Sequence, residues 1–259
     1  LWATFARIPI SVQGSGVLLP VSTINSSSSS TSGTVHWYFD QPAQAWNSTA
    51  RMFRNDPERF SNQQVAALAQ TLVRETAALY DNKDKNRPTN ETSTEFLESR
   101  KRTFRGQKIS AGALLLWVQS SAQQERLQSV LTELNRTLAD SLAQSNNTQS
   151  KLKILFRELT SKVSFLEKMT ALETLGFVSR IQILETQTKV DGIRSQILNN
   201  RSELIAIRSN SDKAYQQLRN ELATMINQEL IFATGDVYIS QVIPNNGESV
   251  PQGQELLRL

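Results

Sequence analysis

Apolar residues recur at a period of seven through the later part of this chain. From Ile183 to Met225 six of the seven positions spaced by seven are apolar, and Ser211 alone interrupts the row. A pattern sustained over six heptads is typical of a helix in a coiled coil. The row is Ile183, Val190, Ile197, Leu204, Ser211, Leu218 and Met225, and Ile193, Ile207 and Ala214 fill part of a second row between them.

Two leucine-rich blocks upstream predict a partner helix. The first block is Leu127, Leu131, Leu134 and Leu138, and the second is Leu152, Phe156, Leu159, Val163 and Leu166. The offset from Leu127 to Leu152 is 25 residues, which is three heptads plus four. We therefore predict a four-residue stutter near residues 141–149, where the supercoil would locally unwind.

The two helices are predicted to reverse at Gly176. Glycine is the preferred residue just past a helix C-terminus, and Ser179 is a suitable N-cap for the next helix. About 50 residues then lie on either side of the reversal, which gives two antiparallel helices of roughly 75 Å. A rod of that length is typical of a spacer.

The segment after the helices has the pattern of a small β structure. It contains Gly235-x-Val237, Gly247-x-x-Val250 and Gly253-Gln254-x-Leu256, with turn residues between short apolar runs. Half a β domain cannot bury its own sheet face. The other half is predicted upstream of the helices, at Gly33-Thr34-Val35 and the aromatic residues that follow, up to Phe39.

Two β halves around a helical pair resemble the HlyD-type periplasmic adaptors, also called membrane fusion proteins. The C-terminal glycine pattern is similar to the second half of a biotinyl/lipoyl-type domain. The resemblance implies an α+β fold, mainly α, in which a long antiparallel coiled-coil α-hairpin is inserted between two halves of a lipoyl-like β module. Because neither β half contains the Asp-Lys turn that receives lipoate or biotin, the module is predicted to be structural and to need no cofactor.

The rest of the sequence divides the chain into five predicted segments. Apolar and polar residues alternate over residues 6–22, which predicts a strand, and the resemblance assigns this strand to a membrane-proximal β-barrel. Asp56 and Pro57 are predicted to start a helix whose apolar face runs from Val65 to Leu79, and a second helix is predicted at 93–105. The predicted segments are 1–24, the barrel strand; 25–56, the first lipoyl-like half and linker; 57–108, a helical insertion; 109–230, the hairpin; and 231–259, the second lipoyl-like half.

Composition removes most chemical functions. The chain of 259 residues has no cysteine and one histidine, His36, which we interpret as a strand-surface residue. Neither a thiolate metal site nor a histidine-based catalytic group has the residues it needs. No phosphate-binding glycine loop and no His-Glu-x-x-His pattern occurs, so we predict that the protein is not an enzyme and binds no metal.

The charge of the chain does not predict nucleic-acid binding. The net charge is +4, and basic residues are interspersed with acids along the helices. The one basic cluster, Arg100 to Arg102 with Arg105 and Lys108, is interpreted as solvated surface in preference to a phosphate contact. No stretch approaches the roughly 20 apolar residues that a membrane-spanning helix needs. The resemblance implies a periplasmic location, with an inner-membrane anchor helix preceding Leu1.

The predicted functional surface is the hairpin tip near residues 172–180. Adaptors that work with an outer-membrane duct carry Arg, Leu and Ser seven residues apart at this place; here Phe165, Leu172 and Ser179 have that spacing, so the arginine is replaced. The candidate partner-binding residues are Leu172, Leu175, Gly176, Phe177, Ser179 and Arg180. The alternative is that the apolar residues close the end of the coiled coil and that Ser179 caps a helix. This alternative is compatible with partner binding at the same residues.

The resemblance also implies the partners. They are an inner-membrane ABC transporter, an outer-membrane efflux duct, and further copies of the chain in a ring, a hexamer by family resemblance. Two other protein classes are compatible with parts of the pattern. A coiled-coil scaffold without a transport role is disfavoured by the flanking β halves, and a biotin or lipoyl carrier subunit is disfavoured by the missing acceptor lysine.

Overall fold

The computed structural model of the protein describes residues 25–42, 44–85 and 94–259. The strand predicted at 6–22, and with it the whole barrel segment, lies outside the described residues. The described strands are β1 (Ser26–Ser28), β2 (Gly33–Trp37), β3 (Lys108–Ile109), β4 (Leu114–Gln119), β5 (Leu230–Phe232), β6 (Val237–Tyr238), β7 (Gln241–Val242), β8 (Ser249–Val250) and β9 (Glu255–Arg258). The helices are α1 (Ala45–Asn55), α2 (Asn62–Lys85), α3 (Thr94–Thr103), α4 (Ser121–Thr174) and α5 (Arg180–Glu229), with a 3₁₀ turn at Pro57–Arg59.

The two β halves form one module by pairing across the helical hairpin. Each of the four described strands before the hairpin is antiparallel to a described strand after it: β1 to β9, β2 to β8, β3 to β6 and β4 to β5. Val35 of β2 and Ile239 and Val242 from the C-terminal half lie in the same buried cluster. The predicted fold class, a mainly helical α+β fold with a hairpin inserted between two β halves, is confirmed.

Strand β4 is the element of the module that the sequence pattern does not reveal. The pattern assigns 109–230 to the hairpin, but residues 114–119 are a strand in which all six residues are buried. Leu114 and Trp117 face the helices, whereas Leu115, Leu116 and Val118 face the rest of the β module. A short apolar run covered on both faces shows no alternation, so its period does not distinguish it from a helix.

The hairpin is built from two long helices. Helix α4 has 54 residues and α5 has 50, which corresponds to about 81 and 75 Å at 1.5 Å per residue. The predicted row on α5 is buried or half-buried throughout, from Ile183 to Met225. Among the described helices, none combines the length and the apolarity that a membrane crossing needs.

The predicted stutter in α4 is wrong. Polar residues Ser141, Ser145 and Thr148 are half-buried or buried and continue the alternation of four and three residues between Leu138 and Leu152. The offset of 25 residues is therefore a step from one seam position to the other, and small polar side chains occupy the intervening layers. The seam then runs through Leu155, so Phe156 lies beside it, 40% exposed, with the Arg201 guanidinium 5.5 Å from its ring centre.

The helical insertion lies between β2 and β3 and packs on the root of the hairpin. It begins at Ala45, earlier than the predicted residue 57, because α1 precedes the turn at Pro57–Arg59. Asp56 makes no side-chain cap hydrogen bond. Instead Ser61 and Gln64 exchange backbone-to-side-chain hydrogen bonds at the start of α2, the capping-box pattern. The second predicted helix, 93–105, corresponds to α3.

The buried cluster under the insertion joins three regions of the molecule. Trp46 and Phe53 of α1 and Leu72 of α2 pack with residues from both hairpin helices and from β4. The hairpin helices contribute Leu127, Leu134, Leu218, Leu222, Met225 and Ile226. The root is therefore a four-helix packing, whereas the rest of the hairpin is a two-helix coiled coil.

Arg219 of α5 fastens the insertion to the hairpin. Its buried guanidinium donates to the carbonyl oxygens of Pro57 at 2.5 Å and Phe60 at 2.9 Å, and lies 3.5 Å from the carboxylate of Glu58. A buried charge with several hydrogen bonds is costly to remove because its partners lose their donors.

We expect Arg219→Met to lower the free energy of unfolding by roughly 2–3 kcal/mol. Arg208→Met, on the exposed side of the same helix, is the matched control and should change it by less than about 0.5 kcal/mol. Urea titration followed by circular dichroism measures both. Equal losses in the two variants would contradict an anchoring role for Arg219.

We expect Thr148→Val to stabilise the protein by about 1 kcal/mol, because a buried seam position gains a methyl group in place of a hydroxyl. Thr160→Val, at an exposed position of the same helix, should have almost no effect. The same titration tests this pair, and a loss of stability in Thr148→Val would argue against a continuous seam in α4.

Candidate partner-binding site at the hairpin tip

The reversal at Gly176 ends α4 in the predicted way. Gly176 has a φ of 80°, its amide donates to the Glu173 carbonyl at 2.8 Å, and the Phe177 amide donates to the Leu172 carbonyl at 3.0 Å. These two bonds form the Schellman motif, which satisfies carbonyl groups that the helix end leaves open. The predicted left-handed turn at this glycine is confirmed.

Ser179 starts the return helix. Its hydroxyl accepts from the Gln182 amide and its own amide donates to the Gln182 side chain, both at 3.4 Å. Together they form a capping box. The sequence predicts Ser179 both as a helix cap and as a partner-binding residue. In the structure, its side chain forms the cap.

The apolar residues of the tip lie close to the reversal. Thr186 contacts the Met169 sulfur at 3.8 Å, and Ile183, nearer the reversal, is still half-buried in the seam. Leu172, Leu175 and Phe177 keep 42%, 67% and 78% of their surfaces exposed. All three side chains are therefore open to solvent in the isolated chain.

Three exposed apolar residues at the tip are not among the predicted partner-binding residues. Ile181 and Leu184 on α5 and Phe165 on α4 are exposed. All three lie off the seam and close to the reversal. Leu142, Ile154, Leu198 and Ile205 are also exposed off the seam, farther along the rod, so nearness to the reversal is what assigns the first three to the tip. Arg180 is exposed beside them and forms no salt bridge with any residue that the structure describes. The tip is thus an apolar surface with a positive charge at its edge.

Other candidate residues have structural partners. His36 lies in a strand, β2, as predicted, but its side chain is half-buried and not on the surface, with Nε2 2.9 Å from the Gln119 side chain. In the basic cluster, Arg100 pairs with Asp40, Lys101 with Glu98 and Lys108 with Asp236. Among the described residues, no group of three or more His, Cys, Asp and Glu side chains is placed to hold a metal ion.

Two clefts flank Arg51 at the root. One, of about 500 Å³, is lined by Tyr38, Gln44 and Asn47 among others, and the other, of about 530 Å³, by Arg54 and Phe232. Arg51 lines both clefts and donates to the Ala111 carbonyl at 3.3 Å. Neither cleft contains a base next to a nucleophile, which covalent catalysis would need.

The chain matches no family model and no curated protein. Among solved structures it is similar to the periplasmic adaptor protein EmrA, with 12% identity and a TM-score of 0.24. The match covers 60% of this chain and 65% of that chain, which is less than two thirds of its length. A TM-score of that size does not establish a shared fold, so the functional assignment depends on the geometry of the chain itself.

The role of Gly176 in the reversal is testable. We expect Gly176→Ala to lower the free energy of unfolding by about 1 kcal/mol, because a residue with a Cβ is strained at positive φ. A Cβ at Gly176 or at Gly192 would meet nothing within 4 Å, so neither substitution creates a clash. Gly192 lies inside α5, and Gly192→Ala should stabilise by roughly 0.5–1 kcal/mol. If urea titrations show shifts of the same sign, left-handed backbone is not the reason for glycine at 176.

Proposed function

We propose that this chain is the periplasmic portion of an HlyD-type adaptor in a bacterial secretion system. In this role it bridges an inner-membrane ABC transporter to an outer component. The observation that carries the proposal is the architecture: a hairpin of about 75–81 Å, by helix rise, leaves and re-enters a single cross-paired β module and ends in an exposed apolar tip.

The architecture suits a bridging role because its two ends differ. The root is broad and buried, with β module, insertion and both helices in contact. The tip is narrow and carries uncovered apolar side chains. Apolar groups exposed together at one place are typical of a surface that a partner covers. The outer partner, an outer-membrane efflux duct in this proposal, would bind the tip, and the transporter would lie on the root side.

The proposal includes assembly of several copies. Adaptor hairpins lying side by side would form a tube, and the β modules would form a ring, a hexamer by family resemblance. The chain would be located in the periplasm and held at the inner membrane by an N-terminal helix. It would perform no chemistry and bind no cofactor or nucleic acid.

A coiled-coil scaffold without a transport role is the second candidate. The same two-helix seam supports it, because many scaffolds are built on such seams. The exposed tip favours the adaptor, since a scaffold that acts through its length gains nothing from apolar residues at a reversal.

The tip should be required for export. In the native cells, the exported material is defined as what the wild-type strain releases and a deletion strain retains. We expect the double variant Leu172→Asp, Phe177→Asp to abolish release of this material. Buried carboxylates would prevent a partner from covering the tip. Comparison of the culture media by mass spectrometry identifies the material without any assumption about the cargo.

A double variant farther along the same helix controls for surface charge. Leu142→Asp combined with Ile154→Asp also places carboxylates at exposed apolar positions, and Leu142 lies about 45 Å from Leu172 by helix rise. Export should persist in this control. Normal export by the tip variant would remove the tip from the mechanism, and loss of its helix content in circular dichroism would show instead that the residues close the hairpin.

A further inference from the structure

A carboxylate is buried where the hairpin leaves the β module. Glu229 is the last residue of α5, and none of its surface is exposed. Its Oε2 accepts from the Trp117 indole Nε1 at 2.8 Å, and its Oε1 accepts from the Ser120 amide at 3.1 Å. One side chain thus joins the end of one hairpin helix, the strand β4, and the start of the other hairpin helix, because Ser120 is the N-cap of α4.

The surroundings of this carboxylate are polar but uncharged. Gln228 next to it accepts from Gln123 of α4 at 2.7 Å, and Gln119 of β4 donates to the Thr76 carbonyl of α2 at 3.3 Å. These bonds again cross between elements that meet at the root. Among the described residues, no charged neighbour contributes to the shift in the pKa of Glu229.

Burial and hydrogen bonding shift the pKa of Glu229 in opposite directions. Burial raises the pKa of Glu229 to about 7, and the two hydrogen bonds from Trp117 and Ser120 offset part of that rise. The group therefore changes charge near neutral pH while it remains inside the root.

Other titratable groups lie on the elements packed around Glu229. Tyr38, after β2, packs against the Trp117 ring with centroids 6.0 Å apart. Burial, with a smaller effect from Glu75 of α2, raises its pKa, so Tyr38 stays neutral. On α5, Arg219 is bound to the 3₁₀ turn at Pro57–Arg59. On β2, His36 lies opposite Trp117 in the sheet and 2.9 Å from the Gln119 side chain. The Glu229→Gln variant separates its contribution from that of Glu229.

We propose that Glu229 is a proton-controlled latch at the root of the hairpin. With a proton bound, the neutral side chain holds α5, β4 and the start of α4 together without a buried charge. When the proton is lost, the unpaired carboxylate favours local opening of the root, because opening returns it to water. The latch would set how firmly the hairpin is held on the β module, and it does not depend on the identity of any partner.

The sign of the pH dependence follows from the direction of the shift. Glu229 has a higher pKa in the closed root, about 7, than the ordinary value of 4.5. The closed root therefore binds the proton more tightly than the open one between these values. The stabilisation is complete below pH 4.5, is lost as the pH rises toward 7, and stays absent above that. Between pH 5 and 8 the equilibrium for opening should rise on the order of 10- to 100-fold.

Two measurements on the full chain test the latch. The Trp117 indole N–H resonance, assigned by its absence in Trp117→Phe, should shift with a midpoint near pH 7 in the wild type. Amide hydrogen exchange at residues 117–124 and 226–232, corrected for the intrinsic pH dependence of exchange, should show the increase in opening. Glu229→Gln should remove both pH dependences, and Glu203→Gln, exposed on the same helix, should leave them intact.

The outcomes separate a latch from a merely structural carboxylate. Trp117→Phe removes a hydrogen bond that lowers the pKa of Glu229, so the midpoint of opening should move to higher pH in that variant. A fixed midpoint, or a wild-type root whose protection does not change between pH 5 and 8, would overturn the proposal. If Glu229→Gln does not fold, the Trp117→Phe midpoint still decides. Export does not enter either measurement, so failure here is distinct from failure of the adaptor assignment.

Discussion

The pairing of strands before the hairpin with strands after it is the constraint on which the rest of the molecule depends. Strand β2 pairs with β4 on one side and with β8 on the other, so the sheet is complete only when the chain has gone out along α4 and returned along α5. This requirement fixes the two helices at nearly equal lengths, because both must start and end at the same sheet. The reversal then has to fall near the middle of the helical region, and Gly176 occupies that place.

The sequence predicts those parts of the structure that depend on residue spacing within one helix or turn, and it does not predict those that depend on contacts between elements. The seam and the reversal were predictable because they follow from spacing within one element: heptads in α5, and Gly176 with Ser179 at the turn. Strand β4 was not, because its burial on both faces is a property of the assembled sheet and of the insertion that covers it. The stutter was inferred from the offset of 25 residues between the two leucine blocks. The offset is not a break, because small polar residues continue the seam between the blocks and Thr148 is buried there. At the tip, Leu172, Leu175 and Phe177 are exposed, but Ile181 and Leu184 were not selected because the candidates were taken from residues 172–180 around the reversal.

The helical insertion changes the mechanical character of the hairpin at its root. A two-helix coiled coil buries one stripe per helix, and several layers here contain serine or threonine, so packing stabilises the middle of the rod weakly. Around Arg219 and Leu222 the same helices are covered by α1 and α2 as well. The root is therefore the region in which a change of one side chain is transmitted to several elements, whereas a change in the middle affects only the neighbouring layers.

The two ends of the hairpin invert the usual placement of polar and apolar groups. At the root a carboxylate, Glu229, is buried, and at the tip Phe177 and Leu175 are exposed. Both placements are unfavourable for an isolated chain: the first costs desolvation of a charge, and the second leaves apolar surface in water. Gly176 and the Ser179 capping box form the reversal, and the strand pairing closes the root. Such local costs are expected where a molecule binds a partner or changes state. If both proposals hold, binding of a partner would account for the cost at the tip and binding of a proton for the cost at the root, so that attachment and adjustment would lie at opposite ends of one rod.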